Sequence, residues 1–318
     1  MYCDDCDSII PFDSSNDHQC TGNNNILVEE TANYYITENK DTTVHTNNPM
    51  PTTIITINTV KPMINSNDDT LHQTQRLALK WCAKKARIYH KSIMDNVIIR
   101  FLELDLTRSD LQIAIDYIRD IDPIVHFGRT VDWLKTENKM KNCFEIGSMP
   151  ITSDNIRIKW EHNLFGGRYF VECEPNVRVK YGCLNLMSDD QGCRMAHGYG
   201  RSYMIIKPEL KSRITFVCGD SSGMQSHICT FDHFVQLFLY LDPIILKHII
   251  NMAKYKKGIV KEKPNVNLCY MYIEMQIHGD IDITKDVDHI MLSGPRSMFV
   301  PEIVDRLHRD NIPFTIMD

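Results

Sequence analysis

Two carboxylates in the second half of the chain have surroundings that suit catalysis. Asp220 follows the apolar run Ile214 to Cys218, where a predicted strand meets a loop. Catalytic groups commonly lie on such loops, because a rigid sheet holds them in place. Glu274 lies inside a second predicted strand. A carboxylate can stabilise a developing positive charge or act as a general base, so the pair indicates a possible catalytic centre.

The strand around Glu274 carries an unusual polar face. Glu274, Gln276 and His278 alternate along residues 272–278, so a strand places all three on one side. For any single carboxylate a solvated face is the commoner explanation. A carboxylate, an amide and an imidazole together would also suit a cleft that binds a polyhydroxyl ligand. The sequence leaves both interpretations open.

A histidine and an arginine mark the end of another predicted strand. His126 lies in the run 124–127, and Arg129 follows after one glycine. A lone histidine in a strand is usually a structural residue. A histidine with an arginine nearby can instead hold a ribose and a diphosphate, because the guanidinium binds phosphate oxygens through paired hydrogen bonds.

Several familiar nucleotide and metal motifs are absent from the sequence. No GxGxxG or GxxxxGK[ST] pattern occurs, which argues against a Rossmann or P-loop site, and no HExxH pattern indicates a catalytic zinc. Cys3, Cys6, His18 and Cys20 resemble a small zinc knuckle. Their spacing is loose and no apolar run surrounds them, so an unstructured terminus is the favoured interpretation. We therefore predict no metal site.

The elements before residue 123 are predicted to be a leader and three helices. Residues 1–68 are rich in Asn, Thr, Asp and Ser, which favours a flexible leader, although 26–28 and 54–57 could form short strands. Residues 69–122 form a helical region. Its helices are predicted from Asp69 or Thr70 to Trp81, from Ser92 to Leu104, and from Thr107 onward.

Strand patterns dominate after Pro123. They include 124–127, 181–186, 202–206, 214–218 and 269–278, with helices between 231 and 253 that break at Pro243. A short helix over 301–309 and a last apolar segment over 312–317 close the chain. Helices followed by strands and then mixed elements predict an α+β protein, with residues 123–318 as its core domain.

Composition excludes some classes of protein. The chain has 318 residues, is 43% hydrophobic and carries 35 basic against 41 acidic side chains, a net charge of -6. Its acidic balance makes general nucleic-acid binding unfavourable. No apolar run is long enough to span a membrane, and the start lacks the basic-then-apolar order of a signal peptide. Eleven scattered cysteines suit buried thiols in a reducing compartment.

Three segments together resemble the catalytic core of poly(ADP-ribose) polymerase-type ADP-ribosyltransferases. They read Ile-Val-His-Phe-Gly-Arg-Thr at 124–130, Phe-Gly-Gly-Arg-Tyr-Phe at 165–170 and Lys-Tyr-Gly-Cys-Leu-Asn at 180–185. In that superfamily a first-strand histidine or arginine holds the adenosine ribose, two tyrosines flank the nicotinamide, and a late-strand glutamate completes the set. The resemblance implies a split β-sandwich fold and assigns these roles to His126, Tyr169, Tyr181 and Glu274.

A more specific resemblance is to the CteC-like ADP-ribosyltransferases. It is carried by residues 180–186, by Cys-Gly-Asp-Ser at 218–221 and by Tyr-Ile-Glu-Met-Gln-Ile-His-Gly at 272–279, and it runs from about Thr70 to the C-terminus. That family uses an Asp together with a Glu, which implies that Asp220 and Glu274 are the catalytic pair. It includes a bacterial effector that modifies a threonine of ubiquitin.

The resemblance also implies the remaining binding residues. The backbone of Phe127, at the position of the polymerase glycine, is expected to hold the nicotinamide amide, and Arg129 is expected to bind NAD beside it. Ser221 and Gln276 flank the two carboxylates and are expected to contact NAD as well. The acidic or glutamine position two residues before the late glutamate is occupied here by Tyr272.

The expected activity is mono-ADP-ribosylation with NAD as the consumed cosubstrate. Cleavage of the nicotinamide–ribose bond develops positive charge on the sugar, which a fixed carboxylate stabilises. Ubiquitin is the implied protein acceptor, through a threonine, and the implied location is the cytoplasm of a host cell after bacterial secretion. Two alternatives stay open: an NAD glycohydrolase using the same carboxylates, and a non-catalytic ubiquitin-binding protein. Residues 69–122 could recognise a partner or simply support the sheet.

Overall fold

A computed structural model describes residues 68–128, 133–222, 227–266, 271–294 and 301–317. The predictions for the polar leader, its two short strands and the four possible zinc ligands near the N-terminus lie outside these ranges, and so does Arg129. The described chain has α+β architecture, as predicted. None of its helices is long and apolar enough to cross a lipid bilayer.

The helical region contains two helices rather than three. Helix α1 spans Gln73–Glu103, so the two helices predicted on either side of residues 82–91 are one. That stretch contains neither proline nor glycine, and nothing in it ends a helix. The predicted cap was also wrong, because His72 caps α1 in a capping box with Gln75.

Helix α2 begins where the sequence indicates. It spans Arg108–Asp120, and Thr107 and Asp110 form a reciprocal capping box at its start. Both helices are packed against other parts of the fold. Arg100 on α1 donates to the carbonyl of Leu241 at 2.6 Å, and Asp110 forms an ion pair with Lys254 at 2.6 Å. These contacts favour the supporting role for residues 69–122.

In the described ranges, eight strands form one sheet, in which all pairs except one are antiparallel. The strands are β1 (Pro123–Phe127), β2 (Lys180–Leu184), β3 (Ser202–Ile206), β4 (Ile214–Cys218), β5 (Cys229–Thr230), β6 (Ile273–Ile277), β7 (Val287–Ser293) and β8 (Phe314–Met317). Their order is β5-β4-β6-β2-β1-β3-β7-β8, and β7 and β8 are the parallel pair.

The remaining α-helices of the described chain lie between the strands. They are α3 (Trp133–Thr136), α4 (Ile156–Leu164), α5 (Leu237–Tyr240), α6 (Pro243–Lys256), α7 (Ile283–Asp286) and α8 (Pro301–Arg309). Pro243 is the first residue of α6, where its missing N–H removes no helical hydrogen bond. The predicted break in the region 231–253 therefore coincides with a helix start.

Strand β1 lies between β2 and β3 in the sheet. Its pairing with β2 ends earlier along the strand than its pairing with β3. It pairs with β2 only at Pro123 and Ile124. Its pairing with β3 runs from Ile124 to Phe127. The continuing register would bring His126 opposite Tyr181, but no pairing forms there. The two halves of the sheet therefore separate beside His126.

Candidate active site

The sheet register collects the predicted site residues on one face. Tyr181 lies opposite Gln276, and Cys183 lies opposite Glu274. Directly opposed residues of an antiparallel pair project to the same side. On β1, Ile124 opposes Cys183, so His126, two residues further on, projects to this side too. We call this side of the sheet the site face.

Glu274 is a nearly buried carboxylate at the middle of the site face, 7% exposed. Gln276 Nε2 donates to its Oε1 at 2.9 Å, and the Ser221 side chain also hydrogen-bonds to it. Burial raises the pKa of Glu274 above its ordinary value. The two hydrogen bonds and the charge of Arg157 oppose that rise, whereas the charge of Asp220 adds to it. The Glu274 carboxyl is therefore held in place by two neutral hydrogen-bond donors, with no buried ion pair in the described part of the chain to occupy its oxygens.

Asp220 lies beside Glu274 but faces solvent. Its Oδ1 accepts the backbone N–H of Ser222 at 2.7 Å, and its Oδ2 accepts the hydroxyl of Tyr272 at 2.8 Å. Partial burial works to raise the pKa of Asp220, but these hydrogen bonds and the charge of Arg157 lower it overall. Two neighbouring carboxylates thus have pKa values pushed in opposite directions, which is a frequent property of catalytic pairs.

The hydroxyl of Tyr181 is held by a buried ion pair. It donates to Oε1 of Glu161 at 3.2 Å. Arg178 donates to Oε2 of the same glutamate at 2.7 Å, and both charged side chains are fully buried. No motif in the sequence predicts this support, because neither Glu161 on α4 nor Arg178 just before β2 belongs to a recognisable pattern.

Arg157 is a cation of the site that sequence reasoning missed. It lies in the first turn of α4, where Asn155 caps its backbone N–H at 2.9 Å. Its guanidinium carbon lies 4.8 Å from the ring centre of Tyr181, and its charge acts on both Asp220 and Glu274. Its Nε is buried and has no hydrogen-bond partner within the described ranges. The Asn cap two residues earlier was the available signal.

Tyr199 is a second residue that the sequence did not single out. It ends the 3-10 helix Arg194–Tyr199 and is 62% exposed. Burial of its hydroxyl and the charges of Asp220 and Glu274 raise the pKa of Tyr199, which shows that it lies near both carboxylates. An exposed aromatic ring at this position provides a flat surface at the mouth of the site.

His126 lies on the site face, but both of its ring nitrogens are engaged. Nδ1 bonds to the carbonyl of Gly200 at 2.8 Å, and Nε2 accepts the N–H of Cys193 at 3.0 Å. Burial lowers the pKa of His126 to about 4, so the ring is neutral. The predicted contact with a ribose would have to replace the Cys193 hydrogen bond.

Two other residues that were predicted to contact NAD, Tyr169 and Phe127, have side chains that the structure places elsewhere. Tyr169 is fully buried in the core cluster, and its hydroxyl forms a hydrogen bond with Nδ1 of His278 at 2.9 Å. The structure thus gives it a packing position rather than a place beside a ligand. The Phe127 side chain projects opposite to His126 and meets the ring of Trp133 at 6.3 Å. Its backbone carbonyl lies so close to Gly200 that any side chain there would collide with it.

No cluster of three or more metal-ligating side chains occurs among residues that the structure describes. The site contains two carboxylates, three tyrosines and one arginine, namely Asp220, Glu274, Tyr181, Tyr199, Tyr272 and Arg157. This set can stabilise positive charge at Glu274, accept a proton at Asp220 and bind an anionic group at Arg157.

Two comparisons with known proteins bear on the site. Residues 130–241, about a third of the chain, match a family model described as "Protein of unknown function (DUF3626)". The match includes Tyr181 and Asp220 but ends before Glu274. The chain is also 23% identical over 208 residues to the "Gene 2 protein" of Mycobacterium phage D29, covering 64% of this chain and 76% of that protein. Neither description names an activity.

Proposed function

We propose that the protein is a mono-ADP-ribosyltransferase that moves ADP-ribose from NAD to a protein hydroxyl. The observation that supports it most strongly is the state of Glu274. It is nearly buried, held by Ser221 and Gln276, and placed beside the solvent-facing Asp220 on the site face. A carboxylate in that state suits the stabilisation of a sugar cation.

The two carboxylates have distinct parts in the proposed reaction. The nicotinamide leaves with the electrons of its bond to the ribose, and the sugar becomes oxocarbenium-like. Glu274 stabilises that charge and accepts a hydrogen bond from the ribose 2′-hydroxyl. Asp220, with its lowered pKa, is ionised near neutral pH and accepts the proton of the attacking hydroxyl.

The sheet supports the proposal through its arrangement. The strands that carry His126, Tyr181 and Glu274 are successive neighbours, in the order β1, β2 and β6. The separation of β1 from β2 after Ile124 opens the site face between His126 and Tyr181. A split β-sandwich of the ADP-ribosyltransferase type would have these properties, and we propose that fold.

NAD has suitable partners at the site. Arg157 can bind its diphosphate, because a guanidinium pairs with phosphate oxygens and its Nε lacks a partner within the described chain. Tyr181 and Tyr199 offer aromatic surfaces for a planar ring. Ser221 and Gln276 act on NAD through Glu274, to which both donate hydrogen bonds. The contact between Arg129 and NAD stays a prediction.

The acceptor and the location rest on the resemblance. We propose ubiquitin, through a threonine hydroxyl, and delivery into a host cytoplasm, where the modification would block ubiquitination. The exposed position of Asp220 allows a macromolecular acceptor to reach it. The same exposure also favours the glycohydrolase alternative, because water could occupy the acceptor position.

Transfer of labelled ADP-ribose from NAD to purified ubiquitin tests the proposal. We expect labelling with the natural chain and a loss of at least about a hundredfold with Glu274→Gln or Asp220→Asn. Glu209→Gln, at an exposed position, serves as the control and should label normally. Free ADP-ribose without labelled protein would support the hydrolase. No consumption of NAD by a folded natural chain that binds ubiquitin would support the non-catalytic alternative.

A further inference from the structure

A continuous chain of hydrogen bonds runs through the interior and ends on Glu274. The Tyr169 hydroxyl bonds to Nδ1 of His278 at 2.9 Å. Nε2 of His278 bonds to Oγ1 of Thr215 at 3.2 Å, and Thr215 Oγ1 donates to Oε1 of Gln276 at 3.1 Å. Gln276 Nε2 then donates to Oε1 of Glu274 at 2.9 Å. We call these four links the relay.

The carboxylate determines the direction of every link. An ionised Glu274 can only accept, so Gln276 must present its NH₂ group there and its carbonyl to Thr215. Thr215 has one proton and donates it to Gln276, so it must accept from His278. His278 then carries its proton on Nε2, which leaves Nδ1 to accept from Tyr169. Each donor in the relay therefore points toward Glu274.

The burial of the relay makes this direction stable. Four of its members are completely buried: Tyr169, Thr215, Gln276 and His278. Burial and the nearby charge of Arg213 lower the pKa of His278 to about 3, so the ring stays neutral. Buried polar groups are tolerated only when their hydrogen bonds are satisfied, and these satisfy one another. The packing around them includes the ring of Phe165, 5.1 Å from that of His278.

We propose that Thr215, Gln276 and His278 are positioning residues that orient the Glu274 carboxylate and keep it ionised for the reaction. This inference rests on the proposed function, since Glu274 is assigned its role there. The Thr215 hydroxyl has the central part, because it holds the carbonyl end of the Gln276 amide and so reinforces the orientation that an ionised Glu274 requires. Without that hydroxyl the carbonyl end of the amide loses its donor, and the hydrogen bond from Gln276 to Glu274 is weakened.

Other groups also act on Glu274 and must stay constant in any test. Arg157 faces it from α4, and Tyr199 faces it from the 3-10 helix before β3. The strands and loops nearby contribute Tyr181 and Cys183 on β2, Asp220 and Ser221 after β4, and Tyr272 just before β6. Thr215 lies on β4, where it pairs directly with Gln276, and it is not one of these groups. A change at Thr215 therefore alters the relay without removing any of those side chains.

Three variants of the full chain isolate the relay. Thr215→Val removes the hydroxyl with little change of shape, and Thr215→Ser retains it. Thr230→Val is the matched control. Thr230 lies opposite Thr215 on β5, is equally buried, and its hydroxyl accepts the N–H of His233 at 3.2 Å outside the relay. Each variant is compared with the natural chain by urea unfolding, to show that it folds.

Two measurements on these variants are decisive. The first is ¹⁵N NMR of histidine-labelled protein, with His278 assigned by comparison with His278→Asn, and it reads the tautomer without requiring activity. The second is the pH dependence of ADP-ribose transfer. The Gln276 hydrogen bond lowers the pKa of Glu274. Its weakening in Thr215→Val should therefore move the acid limb of the transfer profile to higher pH, by about one unit.

The relay predicts a neutral His278 with its proton on Nε2, a shifted acid limb for Thr215→Val, and natural profiles for Thr215→Ser and Thr230→Val. A proton on Nδ1, or equal acid limbs for Thr215→Val and Thr230→Val, would overturn it. If no variant and no natural chain transfers ADP-ribose, the proposed function fails. The NMR measurement then still decides whether the relay exists, so the two failures are distinguishable.

Discussion

The two buried glutamates near Tyr181 show how one residue type can be used in opposite ways. Glu161 is fully buried, and its oxygens are occupied by Arg178 at 2.7 Å and by the Tyr181 hydroxyl at 3.2 Å. Glu274 receives hydrogen bonds from two neutral side chains, Ser221 and Gln276. A buried carboxylate that is paired with an equally buried guanidinium serves the stability of the fold. One that is held by neutral donors stays available for chemistry.

The difference also separates stability from activity. Removing one partner of a buried ion pair leaves the other charge uncompensated, which is strongly destabilising. Removing the charge of Glu274 leaves two neutral hydrogen-bond donors and Arg157, whose charge also interacts with Asp220. We therefore expect Glu161 to matter for folding and Glu274 to matter for the reaction.

Glu161→Gln should have the largest effect on folding. It leaves the Arg178 charge buried without its partner, and we expect the free energy of unfolding to fall by about 3–5 kcal/mol. Urea unfolding measures this. Glu137→Gln, which breaks the partly exposed pair with Lys141, is the control and should change the free energy by at most about 1 kcal/mol. Similar losses in both variants would contradict the comparison.

Glu274→Gln should have the largest effect on activity while preserving stability. We expect nicotinamide release to fall by about 10²–10³-fold. Burial raises the pKa of Glu274, so the folded natural chain binds a proton on this carboxyl more tightly than the unfolded chain does. That stabilisation is complete at acid pH and is lost as pH rises through the folded pKa. The variant should therefore gain stability relative to the natural chain on going from acid to neutral pH. A variant that melts earlier at neutral pH would contradict this.

Arg157→Gln should act mainly on substrate binding. Loss of a charged partner for the diphosphate should weaken NAD binding by about 10- to 100-fold, as measured by calorimetry. Since Arg157 also lowers the pKa of Asp220 and Glu274, the acid limb of the activity should move to higher pH. Lys159→Gln removes an exposed charge from the same helix and should bind NAD normally. Equal affinities in the two variants would remove Arg157 from the binding site.

Tyr272→Phe should have the smallest effect. It removes the 2.8 Å hydrogen bond to Asp220, one of the bonds that lower the pKa of that carboxyl. A lost hydrogen bond of this kind corresponds to about 1 kcal/mol, so transfer near neutral pH should fall about fivefold. Tyr255→Phe, on helix α6, is a suitable control. No change in the pH profile of Tyr272→Phe would show that this bond does not tune Asp220.

The parts of the fold that depend on local pattern were predictable. Short apolar runs predict β1, β3 and β4 to within one residue, and the polar segment that opens at Thr107 predicts the start of α2. The sequence predicts two helices within residues 69–104, whereas α1 is continuous. No helix-ending residue lies between residues 82 and 91, so the chain continues as one helix.

The site was predictable only where its residues share a strand or a short motif. Glu274 and Gln276 alternate on β6, and Asp220 lies in the loop that follows β4, so their types and positions predict chemistry. Arg157 and Thr215 come from elements whose packing the sequence does not specify. The order of the motifs alone predicts Tyr169 beside the ligand, whereas long-range packing holds its side chain in the core.

The most direct test of the account is release of nicotinamide from NAD by the natural chain and by Glu274→Gln, with NAD binding measured in parallel. It detects the bond cleavage whether the acceptor is ubiquitin or water. The account predicts release by the natural chain and a loss of about 10²–10³-fold in the variant, with affinity for NAD nearly unchanged. Binding of NAD without cleavage by the natural chain, or equal release by both proteins, would contradict the assignment of Glu274.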